Sequence, residues 1–171
     1  MTKPDRCPGC GAALPPESGP IHAYMLSSPA CWARYNRILA AEYSDPGVWA
    51  VHRLSVDAFA VQHPGLPTDR RAVQSVAVHL GRLKLQIEDD VTETEANARM
   101  VRFMRFKGTV PTIVSPRAFT ITTADVAPHA GTDRHVEKVR EWAWATWDDY
   151  ASQQQTIRDW VATTLGRDGR G

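Results

Sequence analysis

The sequence predicts a mainly α-helical protein: a bundle of about six helices carrying an N-terminal zinc-knuckle head. Three observations lead there. Cys7-Pro8-Gly9-Cys10-Gly11 places two thiols on either side of a tight turn, the arrangement that supplies half of a tetrahedral zinc site. Apolar residues recur at helical spacing from Trp32 to Leu165. Helix-start signals stand in front of the periodic stretches, with Ser, Thr or Asp preceding proline or an acidic residue.

Taken in order, residues 1–27 are rich in Pro and Gly and have no strong period, so a metal is what would hold them. Ser28-Pro29 opens a first helix over 29 to about 43, with Trp32, Tyr35, Ile38 and Leu39 on its apolar face. Ser44-Asp45-Pro46 repeats the signal for a second helix over about 46–62, ended by Pro64-Gly65. Thr68 caps a third over about 69–89, whose two apolar faces predict a central position. Thr92-x-x-Glu95 is a capping box for a fourth over about 93–106, with Val91 and Ala96 as a hydrophobic staple. Residues 107–131 form a long connection with a short strand at 119–122 and one helical turn near 124–128. A fifth helix follows from Thr132 or Asp133, and Ile157, Trp160, Val161 and Leu165 mark a sixth. The domain reading is a metal-binding head over 1–31 packed on a helical domain over 29–166, then a frayed tail at 167–171.

A length of 171 residues suits one domain with a buried core. Net charge of +1 argues against a strongly basic nucleic-acid module. No apolar run reaches the roughly 20 residues that span a bilayer, and Met1-Thr2-Lys3-Pro4-Asp5 lacks a signal-peptide apolar region. The expected location is therefore cytoplasmic. In that reducing setting three cysteines read as metal ligands before they read as a disulfide and a spare.

For the metal head, Cys7 and Cys10 supply two ligands and Cys31, in the first turn of the first helix, the third; a helix N-terminus favours the thiolate. His22 is taken as the fourth ligand, with His63 as its competitor. Three thiolates and an imidazole form a closed set that suits a structural Zn2+ over catalysis, and a mononuclear site without further cysteines favours zinc over iron. The simpler alternative for Cys31 is a small buried residue.

Helices two and three carry the other candidates. His52 and His63 lie about 16 Å apart along one helix and cannot share an ion. Folded as an antiparallel hairpin about 64–68, the two helices bring residue 52 against about 81 and Asp57 against about 76. His52 and His79 would then meet in the core with Asp57 nearby, as an acid–base pair or a second metal site. The alternative is a set of buried polar residues that satisfy one another. Arg99, Arg102, Arg105 and Lys107, interleaved with Met100, Phe103, Met104 and Phe106, read as an anionic-partner face or as the solvated edge of an amphipathic helix. The six tryptophans read as core. No phosphate loop, nucleophile elbow or dinucleotide fingerprint is present.

The stretches Cys7-Pro8-Gly9-Cys10-Gly11, His22-Ala23-Tyr24, Ser27-Ser28-Pro29-Ala30-Cys31-Trp32, His52-Arg53-Leu54-Ser55-Val56-Asp57, Gln62-His63-Pro64-Gly65 and Ser75-Val76-Ala77-Val78-His79-Leu80 resemble an uncharacterised bacterial family, a domain of unknown function with a cysteine-pair head. The likeness is strong over 7–80, weakens through 90–130 and returns at Val139-Arg140-Glu141-Trp142 and Ile157-Arg158-Asp159-Trp160. It departs at Gln153-Gln154-Gln155, where relatives are expected to carry a histidine. The resemblance implies a shared fold and metal head and supplies no activity. Two functions stay open on the sequence. One is a zinc-pinned module that binds a protein, or less readily a nucleic acid. The other is a metal-dependent or acid–base enzyme with a pocket between the helices carrying His52 and His79.

Overall fold

The computed structural model describes residues 4–105 and 109–166. The tail expected at 167–171 and the residues Phe106 and Lys107 of the basic run lie outside them. Among the described residues, seven α-helices and a two-stranded hairpin form, joined by short 3₁₀ turns, so the chain is mainly helical.

The hairpin pairs β1 (Asp5–Arg6) with β2 (Ala13–Leu14) in antiparallel register and brackets the cysteine pair. The sequence reading missed these strands, which are two residues each. They exist because the Cys7–Cys10 turn closes on itself: Gly11 N–H donates to Cys7 O at 3.0 Å, and Cys7 N–H to Ala12 O at 2.9 Å. Gly11 sits at φ +78°, a conformation an L side chain resists.

Helix α1 (Pro29–Ser44) starts as expected, with proline in its first turn and the Ser28 hydroxyl accepting from Cys31 N–H. A 3₁₀ turn at Trp49–Val51 leads into α2 (His52–Gln62), which therefore begins six residues later than the proline signal suggested. Pro46 starts a turn there, with Asp45 Oδ1 accepting from Gly47 N–H. Helix α3 (Arg70–Ile87) is capped by Asp69, one residue after Thr68. Helix α4 (Glu93–Arg105) carries the Thr92/Glu95 capping box.

Helix α3 is central, packing on α2, α4 and the two C-terminal helices. Gly81 lets two of them close in: a Cβ there would lie 3.1 Å from Phe103 of α4 and 3.1 Å from Trp160. The α2–α3 hairpin forms, but its register is set by Asp57, which meets Arg82, His79 and Gln86 and not residue 76.

No strand forms at 119–122. Thr122 instead opens the short α5 (Thr123–Val126) through a capping box with Asp125. The preceding segment covers the knuckle, where Phe119 N–H donates to Cys10 O at 3.3 Å. Helices α6 (His135–Asp149) and α7 (Gln154–Gly166) complete the bundle. Trp142, Trp147 and Trp160 are core, whereas Trp49 and Trp144 are exposed, against the reading of all six as core. No helix among the described residues is long and apolar enough to cross a membrane.

Candidate metal centre

Four side chains from three distant stretches converge under the hairpin. Cys7 and Cys10 come from the knuckle, Cys31 from the first turn of α1, and His63 from the residue that ends α2. All four are buried, and their ligand atoms lie within 4.8 Å of one another. Cys10 Sγ is 3.8 Å from Cys31 Sγ, and Cys31 Sγ is 3.2 Å from His63 Nε2. A tetrahedral ion with ordinary Zn–S and Zn–N bonds has edges of about 3.8 Å and about 3.5 Å. The sulfur separation is also far beyond the roughly 2 Å of a disulfide.

The surroundings prepare each donor. His63 Nδ1 donates to Phe59 O at 2.8 Å, which leaves the Nε2 lone pair aimed at the thiols, the tautomer a metal ligand requires. Ser28 N–H donates to Cys7 Sγ at 3.4 Å, and the Thr123 hydroxyl lies 3.1 Å from Cys31 Sγ. Gly9 makes the approach possible: a Cβ there would fall 2.3 Å from Leu26 O and 2.6 Å from His63 Cδ2.

The charges also ask for a cation. Hydrogen bonds from Cys10 and Cys31 hold Cys7 far below the usual thiol range. Contact with Cys31 pulls Cys10 down, but Cys7 and burial outweigh it and push Cys10 up to about 12. Hydrogen bonds with Cys10 and Cys7, then burial, push Cys31 up strongly. Three buried thiols cannot all ionise against one another, and a divalent cation at their centre removes that conflict.

The structure groups His63, the competitor, with the three cysteines, and not His22, the sequence-based choice for fourth ligand. His22 lies outside the cluster, with Nδ1 accepting from Tyr24 N–H at 3.3 Å and Met25 N–H at 3.2 Å. Its short distance in sequence from Cys31 does not carry over into space, because the 22–25 loop folds back on itself.

His52 and His79 do not bond to each other. Each meets its own carboxylate: His52 Nδ1 lies 2.8 Å from Glu42 Oε2, and His79 Nδ1 lies 2.7 Å from Asp57 Oδ1. Glu42 also accepts from the Ser55 hydroxyl and lies 3.3 Å from His135 Nε2, tying α1 to α2 and α6 in a fully buried knot. Asp57 takes the Arg82 guanidinium on both oxygens. Burial alone would raise the Asp57 carboxyl, but Arg82 and His79 outweigh it and hold it below its usual value of 3.8.

Glu42, Ser55, Arg82 and His135 were missed in the sequence. The readable signal was position: Glu42 continues the buried stripe Cys31–Tyr35–Ile38 one turn on. Arg82 interrupts Leu80, Leu83 and Leu85, and His135 stands one turn before Val139. The glutamine run serves local bonds, Gln153 accepting from Val114 N–H and Gln154 donating to Trp147 O. In the basic run, Arg99 pairs with Glu95 at 3.9 Å.

A family model described as a family of unknown function, DUF5946, matches residues 5–151. No curated protein and no solved structure matches the chain.

Proposed function

The chain belongs to the family of unknown function DUF5946, and from its own geometry we propose that it is a zinc-clasped helical interaction module in which the ion is structural. The observation that carries this is the buried Cys7–Cys10–Cys31–His63 quartet, four protein donors with no open side for substrate. The clasp joins the hairpin, the start of α1 and the end of α2. Zinc is favoured over softer or redox metals because three thiolates and an imidazole form its ordinary structural set.

An interaction role with a protein is favoured over nucleic acid. The net charge is +1, and Arg99 of the basic run is already paired. Tyr43 and Trp49 stand exposed with their rings 5.4 Å apart, the type of side chain enriched at protein interfaces.

Metal analysis of the purified chain tests the clasp. One zinc per chain is expected, lost together with cooperative folding on chelation or in Cys7→Ser. A metal-free chain with the same thermal transition, or a Cys7→Ser chain that keeps its zinc, overturns it.

A further inference from the structure

A cavity of about 350 Å³ lies between the 22–25 loop, α1, α2 and α3, and none of Cys7, Cys10, Cys31 and His63 lines it. Its size falls at the small end of ligand pockets. Trp32, Tyr35, Tyr43 and Phe59 line it, and His22, His52 and His79 bring three imidazoles to its wall.

The hydrogen bonds fix what each imidazole offers. His22 Nδ1 accepts two backbone N–H groups, so the neutral ring carries its proton on Nε2 and is a donor. Its burial and the nearby Arg71 lower its pKa and keep it neutral. His79 Nδ1 faces an Asp57 carboxylate that Arg82 keeps ionised, so Nδ1 donates and Nε2 keeps its lone pair. His52 is held in the same way by Glu42. Among the described residues no protein group bonds to Nε2 of any of the three.

This donor set narrows the ligand. With His22 protonated on Nε2, at most two lone pairs remain, too few for an ordinary protein zinc site. Among the lining residues an anion finds no free cation, because Arg53 pairs with Glu93 at 3.1 Å; of the cations behind the wall, Arg82 is taken by Asp57 and Arg71 lies over the Tyr24 ring. A cation finds no free carboxylate. What remains is a neutral planar ring that donates one hydrogen bond.

We propose that this cavity binds a small phenol, with its ring among the aromatic side chains and its hydroxyl on His79 Nε2. His79 then acts as the base: the phenol O–H bond breaks, an Nε2–H bond forms, and the products are a phenolate and an imidazolium. The Asp57 carboxylate faces that imidazolium, while the Arg82 guanidinium on both oxygens and the Gln86 amide on Oδ2 also hold Asp57. The N–H of His22 is a donor that the cavity wall offers to the phenolate oxygen.

The test uses the zinc-loaded full chain and 4-nitrophenol, whose phenolate absorbs at longer wavelength than the phenol. Expected is saturable binding with a phenolate band at a pH where the free compound is protonated. His79→Asn should lose that band at least tenfold with zinc content unchanged, and His129→Asn, off the cavity, should keep it. Nitrogen NMR of the unsubstituted protein should show His79 Nε2 becoming protonated on adding 4-nitrophenol, which decides the matter should His79→Asn fold poorly. Absence of saturable binding, a band that survives His79→Asn, or an unmoved Nε2 signal overturns the proposal. Zinc content is measured separately, so failure here leaves the structural clasp standing.

Discussion

The Phe59 ring stacks on the His63 imidazole at 3.9 Å while the Phe59 carbonyl accepts the hydrogen bond of His63 Nδ1–H. One residue thus fixes both the plane and the tautomer of the proposed fourth ligand, and on its other contacts Phe59 stacks on Tyr35 at 3.8 Å. The column Tyr35–Phe59–His63 runs from the aromatic cavity to the thiols. The cysteine–histidine cluster and the cavity therefore share a wall, although no side chain of the quartet lines that cavity.

This geometry separates the two histidines that compete in the sequence. His63→Gln should release zinc at chelator concentrations that leave the parent loaded, by 10-fold or more in apparent affinity. His22→Gln should not change zinc retention. A chromogenic chelator titration of both variants reads the difference directly, and equal behaviour would restore His22 as a ligand.

Gly9 offers a second test of the clasp. An alanine Cβ would enter the space of Leu26 O and the His63 ring, so either the knuckle or His63 must shift. Gly9→Ala should cost about 1–3 kcal/mol, the usual range for overpacking, and weaken zinc binding as well. Gly19→Ala, where a Cβ would meet nothing, is the matched control and should change neither. Urea unfolding of the two variants, with zinc content measured alongside, checks both parts.

The cysteine pair and the helix starts were legible because their causes are local: a tight turn, a capping hydroxyl, a proline in the first turn. The choice of His63 over His22 was not, since it depends on where α2 ends relative to the knuckle. One sequence feature did bear on it. Gly65 allows the backbone to pass the head loop, where a Cβ would lie 2.3 Å from Tyr24 O, so the His63-Pro64-Gly65 run marks a close approach. The helix register escaped for a similar reason. Counting from the loop pairs Asp57 with about 76, but a buried carboxylate needs charged or hydrogen-bonding partners, and the guanidinium that answers Asp57, that of Arg82, lies further along α3. The hairpin slides until those two meet, and this gives His79 to Asp57 and leaves His52 to Glu42.

The Glu42 knot should matter more to stability than its single side chain suggests. Glu42→Ala strands two buried imidazoles and a buried hydroxyl from two helices, α2 and α6, at once. A loss of about 3–5 kcal/mol is expected, a fall in Tm of roughly 10 °C for a chain of this size. Ser55→Ala removes one bond only and should cost about 1 kcal/mol. Thermal unfolding of both variants in saturating zinc tests the ordering, and equal losses would show that Glu42 is not the shared partner.

Asp57 makes the stability of this chain depend on acid in a direction that can be worked out. Its carboxyl is depressed in the folded state, below 3.8, chiefly because Arg82 outweighs the cost of burial. The unfolded chain therefore takes up a proton at higher pH than the folded chain does. The stabilisation is fully present above the unfolded value and is lost as pH falls through the lower folded one. Asp57→Asn, which leaves Arg82 buried and uncompensated, should lose about 3–5 kcal/mol at pH 7. That deficit should stay constant down to about pH 5 and shrink below 3.8 as the parent carboxylate is protonated. Acid also drives metal from thiolates, but it does so in parent and variant alike, so the difference between them isolates Asp57. Urea titrations of the pair between pH 3 and pH 7 measure it, and a deficit that grows as pH falls would contradict the depressed carboxyl.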